Sequence, residues 1–327
     1  MMGYIDMHCD TLAKAMERKK DTAEALTDTM VDIRRLGTAK AEAQFFAMFL
    51  PQRNEPEWFG LKTMPPMQDL MEMMYRVYRN TIKACSDSLA PAVSWEDLQK
   101  NRANGKISAF LTIENGSVID EKMDNLKRFY DMGVRLITLT WNDANCLGYP
   151  HSARKDEMER GLTDFGREIV CEMNRLGMIV DVSHLSDGGF WDVAEISKKP
   201  FVASHSNCRA LSPATRNLTD GMIRTISEKG GVAGVNFAPA FLNEDVDDRL
   251  SRVERICDHI CHLINKGGVE CAGIGTDFDG IDGDFEIADC TQMTMLFDAL
   301  HRRGISDDVT EKIARGNVER VIRECMG

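Results

Sequence analysis

The stretch Tyr4-Ile-Asp-Met-His-Cys-Asp-Thr11 decides how the rest of the chain is read. It is an apolar run of strand length almost at the N-terminus, and its C-terminal end carries His8 and Asp10. Residues i and i+2 of a strand point to the same face. An imidazole and a carboxylate are therefore expected to project side by side from the end of a first strand. A neutral nitrogen beside an anionic oxygen suits a borderline divalent metal such as zinc. A lone His-x-Asp is equally a polar pair at a strand end, so the later strands must decide between the two readings.

Working outward, apolar runs of strand length recur over 43–50, 107–114, 134–141, 178–184, 201–205, 232–237 and 272–277. Helical periodicity or capping signals predict helices over 11–20, 67–86, 95–104, 121–132, 162–176, 186–197, 219–229 and 247–266. Three more are predicted near 291–303, 306–315 and 317–325. Long polar loops are expected over 51–66 and 142–161. Strands alternating with helices are the pattern of parallel β/α units. Eight such units predict an α/β fold, a (β/α)8 TIM-type barrel with loop and helix insertions and extra C-terminal helices. An open doubly wound sheet would favour a Gly-rich phosphate loop after the first strand, and His8-Cys-Asp-Thr11 is not one. No linker or repeat divides the chain, so residues 1–327 are expected to form one barrel domain.

Composition bounds the partners. The chain has 327 residues, 43% hydrophobic and 28% charged, as in ordinary globular proteins. The net charge of -12 argues against nucleic acid or an anionic membrane as partner. Ten cysteines are scattered without a Cys-x-x-Cys pair, and no apolar run approaches the roughly 20 residues of a membrane span. A cytoplasmic protein with reduced thiols is expected.

The predicted strand ends carry the chemistry. In a barrel of this kind the site lies at the C-terminal ends of the strands. There the sequence places His8 and Asp10, Glu114, His184, His205 and Asp277. Each has an ordinary structural reading alone, but only seven histidines exist in the chain. His8 with Asp10 would hold one metal and His184 with His205 a second, bridged by the two oxygens of Glu114. Such a pair would acidify a bridging water from about pKa 15.7 to near 7, giving a hydroxide nucleophile at neutral pH. It would also polarise a carbonyl and hold an oxyanion.

The chain resembles the membrane dipeptidase (renal dipeptidase) family of binuclear zinc peptidases, among the amidohydrolase-like barrels. The resemblance is carried by Asp6-Met-His-Cys-Asp-Thr-Leu12, Ile113-Glu-Asn-Gly116, Leu136-Ile-Thr-Leu-Thr140, Gly161-Leu-Thr-Asp-Phe-Gly166, Asp181-Val-Ser-His184, Ser204-His-Ser206, Arg216-Asn217, Val235-Asn-Phe237 and Gly275-Thr-Asp-Phe-Asp-Gly280. It implies two zinc ions per chain on His8, Asp10, Glu114, His184 and His205. It further implies that Arg216 grips the substrate carboxylate, a task for which a planar guanidinium is suited. Without the resemblance, the favoured reading is that Arg216 pairs with Asp220 across the start of the next helix. Asp277 is implied as the general acid/base beside the metals, while Asp279 is expected to close the turn after the last strand.

One departure from the family pattern stands out. Some members carry a histidine directly after Leu-Thr-Leu-Thr, where this chain has Trp141. His151, later in the same loop, is a candidate to reach the site from another backbone position, and Asn142 or Asn145 to donate a hydrogen bond to the oxyanion. The implied activity is zinc-dependent hydrolysis of dipeptides by a metal-bridged hydroxide, including dipeptides with a C-terminal D-residue, in a homodimer. The alternatives are a metal-dependent amidohydrolase acting on N-acyl amino acids or other amides, and a metal-binding barrel without catalysis.

Overall fold

The computed structural model describes residues 2–327. Its central feature is a closed parallel barrel of eight strands. They are β1 (Tyr4–Cys9), β2 (Ala41–Phe49), β3 (Ile107–Glu114), β4 (Val134–Thr138), β5 (Ile179–Asp181), β6 (Val202–Ala203), β7 (Val232–Val235) and β8 (Ala272–Ile274). Neighbours pair in sequence order around the ring, and β1 closes on β8 through Asp6 opposite Ile274. The longest ladder joins β2 to β3, from Ala43 opposite Ser108 to Phe49 opposite Glu114. A short extra strand, Leu89–Pro91, pairs with the first half of β3. It was not read from the sequence, nor was the helix Ile33–Thr38.

The barrel interior is filled by Ile5, Met7, Phe45, Phe110, Leu136, Ile179, Val202 and Val232, all buried. Phe45 and Phe110 stack with centroids 4.6 Å apart. Val318, Val321, Ile322 and Cys325 of the C-terminal helix Asn317–Met326 join the same cluster. Asn317 donates to the carbonyls of Val269 and Ala272, so this helix plugs the end of the barrel where β8 begins. The opposite end stays polar and forms the mouth.

Predicted strands ran past the observed ones at the mouth. β4, β5, β6, β7 and β8 end at Thr138, Asp181, Ala203, Val235 and Ile274, short of Trp141, His184, His205, Phe237 and Asp277. The chain stays buried there, but its backbone turns aside to aim side chains into the mouth. The helix predicted over 247–266 begins later, as Val253–Gly267. Asn243 holds the carbonyls of Asp248 and Leu250, and Leu250–Ser251 pairs with Asp284–Phe285 in a small separate ladder. Among the described residues no helix is long and apolar enough to cross a membrane.

Candidate metal centre

Six side chains meet at the mouth because the strands deliver them there. Glu114 is the last residue of β3 and His8 lies near the end of β1. Strict alternation does not account for His8 and Asp10. Ile5 and Met7 face the barrel interior, and the pairing of β1 with β2 is irregular between Asp6 and Cys9. Asp10 lies beyond the strand, at the N-cap of the helix Thr11–Glu17. Asp6 anchors this break, accepting from the Thr276 amide at 2.9 Å, the Thr276 hydroxyl at 2.7 Å and Gln44 at 3.1 Å. His184 and Asp277 lie past their strands in left-handed conformations, with φ of 67° and 61°. Such backbone costs about 1–3 kcal/mol per residue and persists where the surroundings enforce it. Gly280 is needed for space: a Cβ there would sit 2.1 Å from Asp10 Oδ2 and 2.7 Å from Asp277 Oδ1.

Glu114 stands at the centre of the cluster. Its Oε2 is 3.4 Å from His8 Nε2, which is also 3.4 Å from Asp10 Oδ2 and 3.8 Å from Asp277 Oδ1. Its Oε1 is 3.0 Å from His184 Nε2 and 3.7 Å from His205 Nε2. One carboxylate thus faces two separate donor pairs, and overlapping triads of nitrogen and oxygen atoms lie within 4.8 Å of one another.

The supporting hydrogen bonds turn the imidazole lone pairs inward. Ser204 Oγ donates to Asp181 Oδ2 at 2.6 Å, so the contact of 2.7 Å between Ser204 Oγ and His205 Nδ1 requires the proton on Nδ1. Asn142 presents Oδ1, an acceptor only, 3.0 Å from His184 Nδ1. Both histidines therefore carry their proton on Nδ1 and offer a bare Nε2 to the centre. His8 is buried with neither ring nitrogen in a hydrogen bond, and Asp10 Oδ1 is likewise unpartnered. Buried polar atoms without partners are rare and costly. Bare nitrogens converging on carboxylates fit a pair of divalent cations of zinc type. Against the cost of burial, Glu114 and Asp10 raise the affinity of His8 for a proton, whose place a cation would take.

Asp181, Ser204 and Asn236 had no assigned role in the sequence reading, although all three lie in the quoted motifs. Asn236 donates to Asp277 Oδ2 at 2.7 Å and is itself fixed by Asn207 at 2.9 Å. Burial pushes Asp277 up to about 7, with His8 opposing and the charges of Asp10 and Glu114 adding. Asp279 ties the last turn to the first helix, accepting from the Thr11 hydroxyl at 2.7 Å and the Met30 amide at 2.6 Å.

Arg216 does not pair with Asp220, which instead binds His262 at 2.7 Å and Lys266 at 2.9 Å. Its side chain turns inward and is 5% exposed. It donates to Ser206 Oγ at 3.0 Å and the His205 carbonyl at 3.2 Å, its Nε is unpartnered, and the guanidinium carbon lies 5.3 Å from the Phe241 ring centre. Among the described residues no carboxylate lies within ion-pair distance of it. Burial pushes its pKa down to about 10.

His151 does come to the site, held by its amide on the His184 carbonyl at 2.8 Å. Both ring nitrogens are engaged, Nδ1 with Thr215 Oγ1 at 2.8 Å and Nε2 with Asn142 Oδ1 at 3.0 Å. Burial, with Arg216 and Arg209, pushes its pKa down to about 3, so it is neutral. Asn142 Oδ1 therefore serves two imidazoles and leaves Nδ2 as its one donor group. Asn145 is spent on structure, donating to Asn115 Oδ1 and the Leu139 carbonyl and accepting from the Leu147 amide. Cys9 and Cys208 are buried, and Cys146 is half-buried.

Known proteins resemble this chain along its whole length. Residues 1–326 match the family model described as membrane dipeptidase (peptidase family M19). A protein named dipeptidase tcpJ from Claviceps purpurea is 31% identical over 297 residues, 90% of this chain and 69% of its own. An uncharacterised protein from Klebsiella pneumoniae is 34% identical over 265 residues, 78% of this chain and 96% of its own. Among solved structures, a metallopeptidase described as dipeptidase AC of family M19 superposes with a TM-score of 0.89 at 28% identity, covering 100% of this chain and 99% of that one. A Rhodobacter sphaeroides metallopeptidase bound to a phosphinate mimic of L-Ala-D-Ala gives 0.88 at 27% identity, covering 99% of both chains. With its barrel, the donor set at the mouth and this match from end to end, the chain belongs to the membrane dipeptidase family, M19.

Proposed function

We propose that this chain is a dipeptidase working with two zinc ions per chain, one held by His8 and Asp10, the other by His184 and His205, with Glu114 shared. The observation that carries the reading is a counter-ionless buried guanidinium, Arg216, beside the convergent bare nitrogens around Glu114. A buried charge without a partner is costly, and a substrate carboxylate would relieve it. Two zinc ions bound around Glu114 would supply a Lewis acid for the scissile carbonyl and would lower the pKa of the attacking water toward about 7.

The residues of the chain do the rest. Arg216 receives the C-terminal carboxylate and fixes the distance from it to the scissile bond. Glu114, facing both donor pairs, sets where the attacking water lies between them. Asp277, with Oδ2 held by Asn236, takes the water's proton on Oδ1 and passes it to the departing amine. Asn142, its oxygen committed to His184 and His151, offers Nδ2 to the carbonyl oxygen in place of the histidine found in some relatives. His151 acts through Asn142 and holds that amide in place. The L-Ala-D-Ala mimic bound by the Rhodobacter relative supports extending the substrates to C-terminal D-residues.

The test is hydrolysis of L-Ala-L-Ala and L-Ala-D-Ala against their C-terminal amides and N-acetyl-alanine, after chelation and after zinc is restored. Zinc-dependent cleavage of the free dipeptides, with the amides poor, is expected. Preference for amides or N-acyl substrates would contradict the reading.

A further inference from the structure

The side of the mouth away from Arg216 is aromatic. Phe49 ends β2, Trp58 lies in the short 3-10 turn Pro56–Phe59, and Trp141 lies in the loop after β4. Trp141 meets Phe49 edge-on at 5.1 Å and Trp58 edge-on at 6.0 Å, while Phe49 and Trp58 stack at 6.0 Å. Trp58 is 38% exposed, and Phe49 and Trp141 are half-buried. The Trp141 ring centre is 6.3 Å from that of His184, so the cluster adjoins the metal centre.

The loops after β2 and β4 are fastened to each other here. The Arg53 guanidinium lies 4.9 Å from the Trp141 ring centre and 3.4 Å from Asp143, and Gln52 donates to the Ala144 carbonyl at 3.2 Å. The rings are thus a built wall, and Arg53 already has a carboxylate partner in Asp143. Around the barrel β2 and β4 flank β3 with its Glu114, whereas Arg216 follows β6 and binds the carbonyl of His205. A dipeptide with its carboxylate on Arg216 and its scissile carbonyl beside Glu114 extends its first residue toward the rings.

We propose that Phe49, Trp58 and Trp141 form the pocket for the N-terminal side chain and select dipeptides whose first residue is large and apolar, aromatic above all. The inference rests on the dipeptidase reading and adds its substrate class. Aromatic rings favour edge-on and offset contacts with one another, and a side chain entering here covers ring surface otherwise open to water. Burying a side chain of Phe size corresponds to roughly 10- to 100-fold in kcat/KM over glycine.

The experiment compares kcat/KM for Gly-, Ala-, Leu-, Phe- and Glu-D-Ala with wild type, Trp58→Ala, Trp58→Phe and Trp141→Ala. Phe-D-Ala is expected to exceed Gly-D-Ala by roughly 10- to 100-fold. In Trp58→Ala that ratio should fall several-fold, and Trp58→Phe should restore most of it. Equal rates for Gly and Phe, a preference for Glu, or a Phe preference surviving both alanine variants would overturn the pocket alone. Failure to cleave any dipeptide would overturn the dipeptidase reading and the pocket together.

Discussion

The Nε2 atoms of His184 and His205 lie 3.1 Å apart. Two neutral imidazoles at that distance normally share a proton, but Asn142 and Ser204 hold both protons on the far nitrogens. Two lone pairs are left facing each other across a gap that Glu114 Oε1 also borders. The contact is repulsive unless a cation lies between them, and the hydrogen bonds behind the rings create that demand.

The relay from Asp181 through Ser204 to His205 should therefore set metal affinity. Ser204→Ala and Asp181→Asn are expected to weaken zinc binding about 10- to 100-fold. A competition titration against a coloured chelator reads this directly, without reference to turnover. Unchanged affinity in both variants would show that the relay merely packs.

Arg216 should act against the stability of the free protein. Arg216→Met is expected to lower kcat/KM for dipeptides by about 10²–10³-fold with zinc content unchanged. The same change should stabilise the substrate-free protein by about 1 kcal/mol or more, because a buried charge without a counter-ion is removed. Urea unfolding of both proteins supplies the second readout, and a less stable variant would contradict the account.

Asp277→Asn keeps the hydrogen-bonding shape but cannot carry the proton. A fall in kcat of about 10²–10⁴-fold is expected, with zinc retained. Burial raises the carboxyl to about 7, and bound cations pull it down again, so wild-type activity should fall on an acid limb at or below pH 7. A variant retaining both rate and limb would remove Asp277 from the mechanism.

Away from the site, His259 is buried between the Cys208 amide, which donates to its Nδ1 at 3.0 Å, and the Leu242 carbonyl, 3.0 Å from Nε2. Burial pushes its pKa down to about 4 from an ordinary 6.5. The unfolded chain therefore binds the proton more tightly. The stabilisation is complete above pH 6.5 and is lost as pH falls toward 4. About 2 kcal/mol should disappear between pH 7 and pH 5. Denaturant unfolding of wild type and His259→Asn at both values should show a shallower loss in the variant, and equal losses would count against it.

Much of this centre is legible in the sequence because each key side chain ends an apolar run. Glu114, His184, His205 and Asp277 are charged or basic residues following stretches that must be buried, a juxtaposition that core packing alone does not favour. The family motifs then place Arg216. Neutral partners such as Ser204 and Asn236 give no such signal, since a serine or asparagine near a strand end is ordinary. Strand ends were overrun because burial continues through His184 and Asp277 after the ladder stops, and left-handed backbone at a non-glycine residue leaves no mark in composition. The start of the helix Val253–Gly267 was misplaced because the acidic turn before it resembles a helix N-terminus. The position of His151 depends on a backbone bond to His184 that spacing cannot reveal.

A centre of two metals shared through Glu114 is read out by the metal content of the protein. Elemental analysis of the purified protein, loaded with zinc and freed of excess, should give about two zinc per chain. His184→Ala should fall toward one while remaining folded. A protein that takes up no zinc, or a His184→Ala variant that still holds two, would contradict the account.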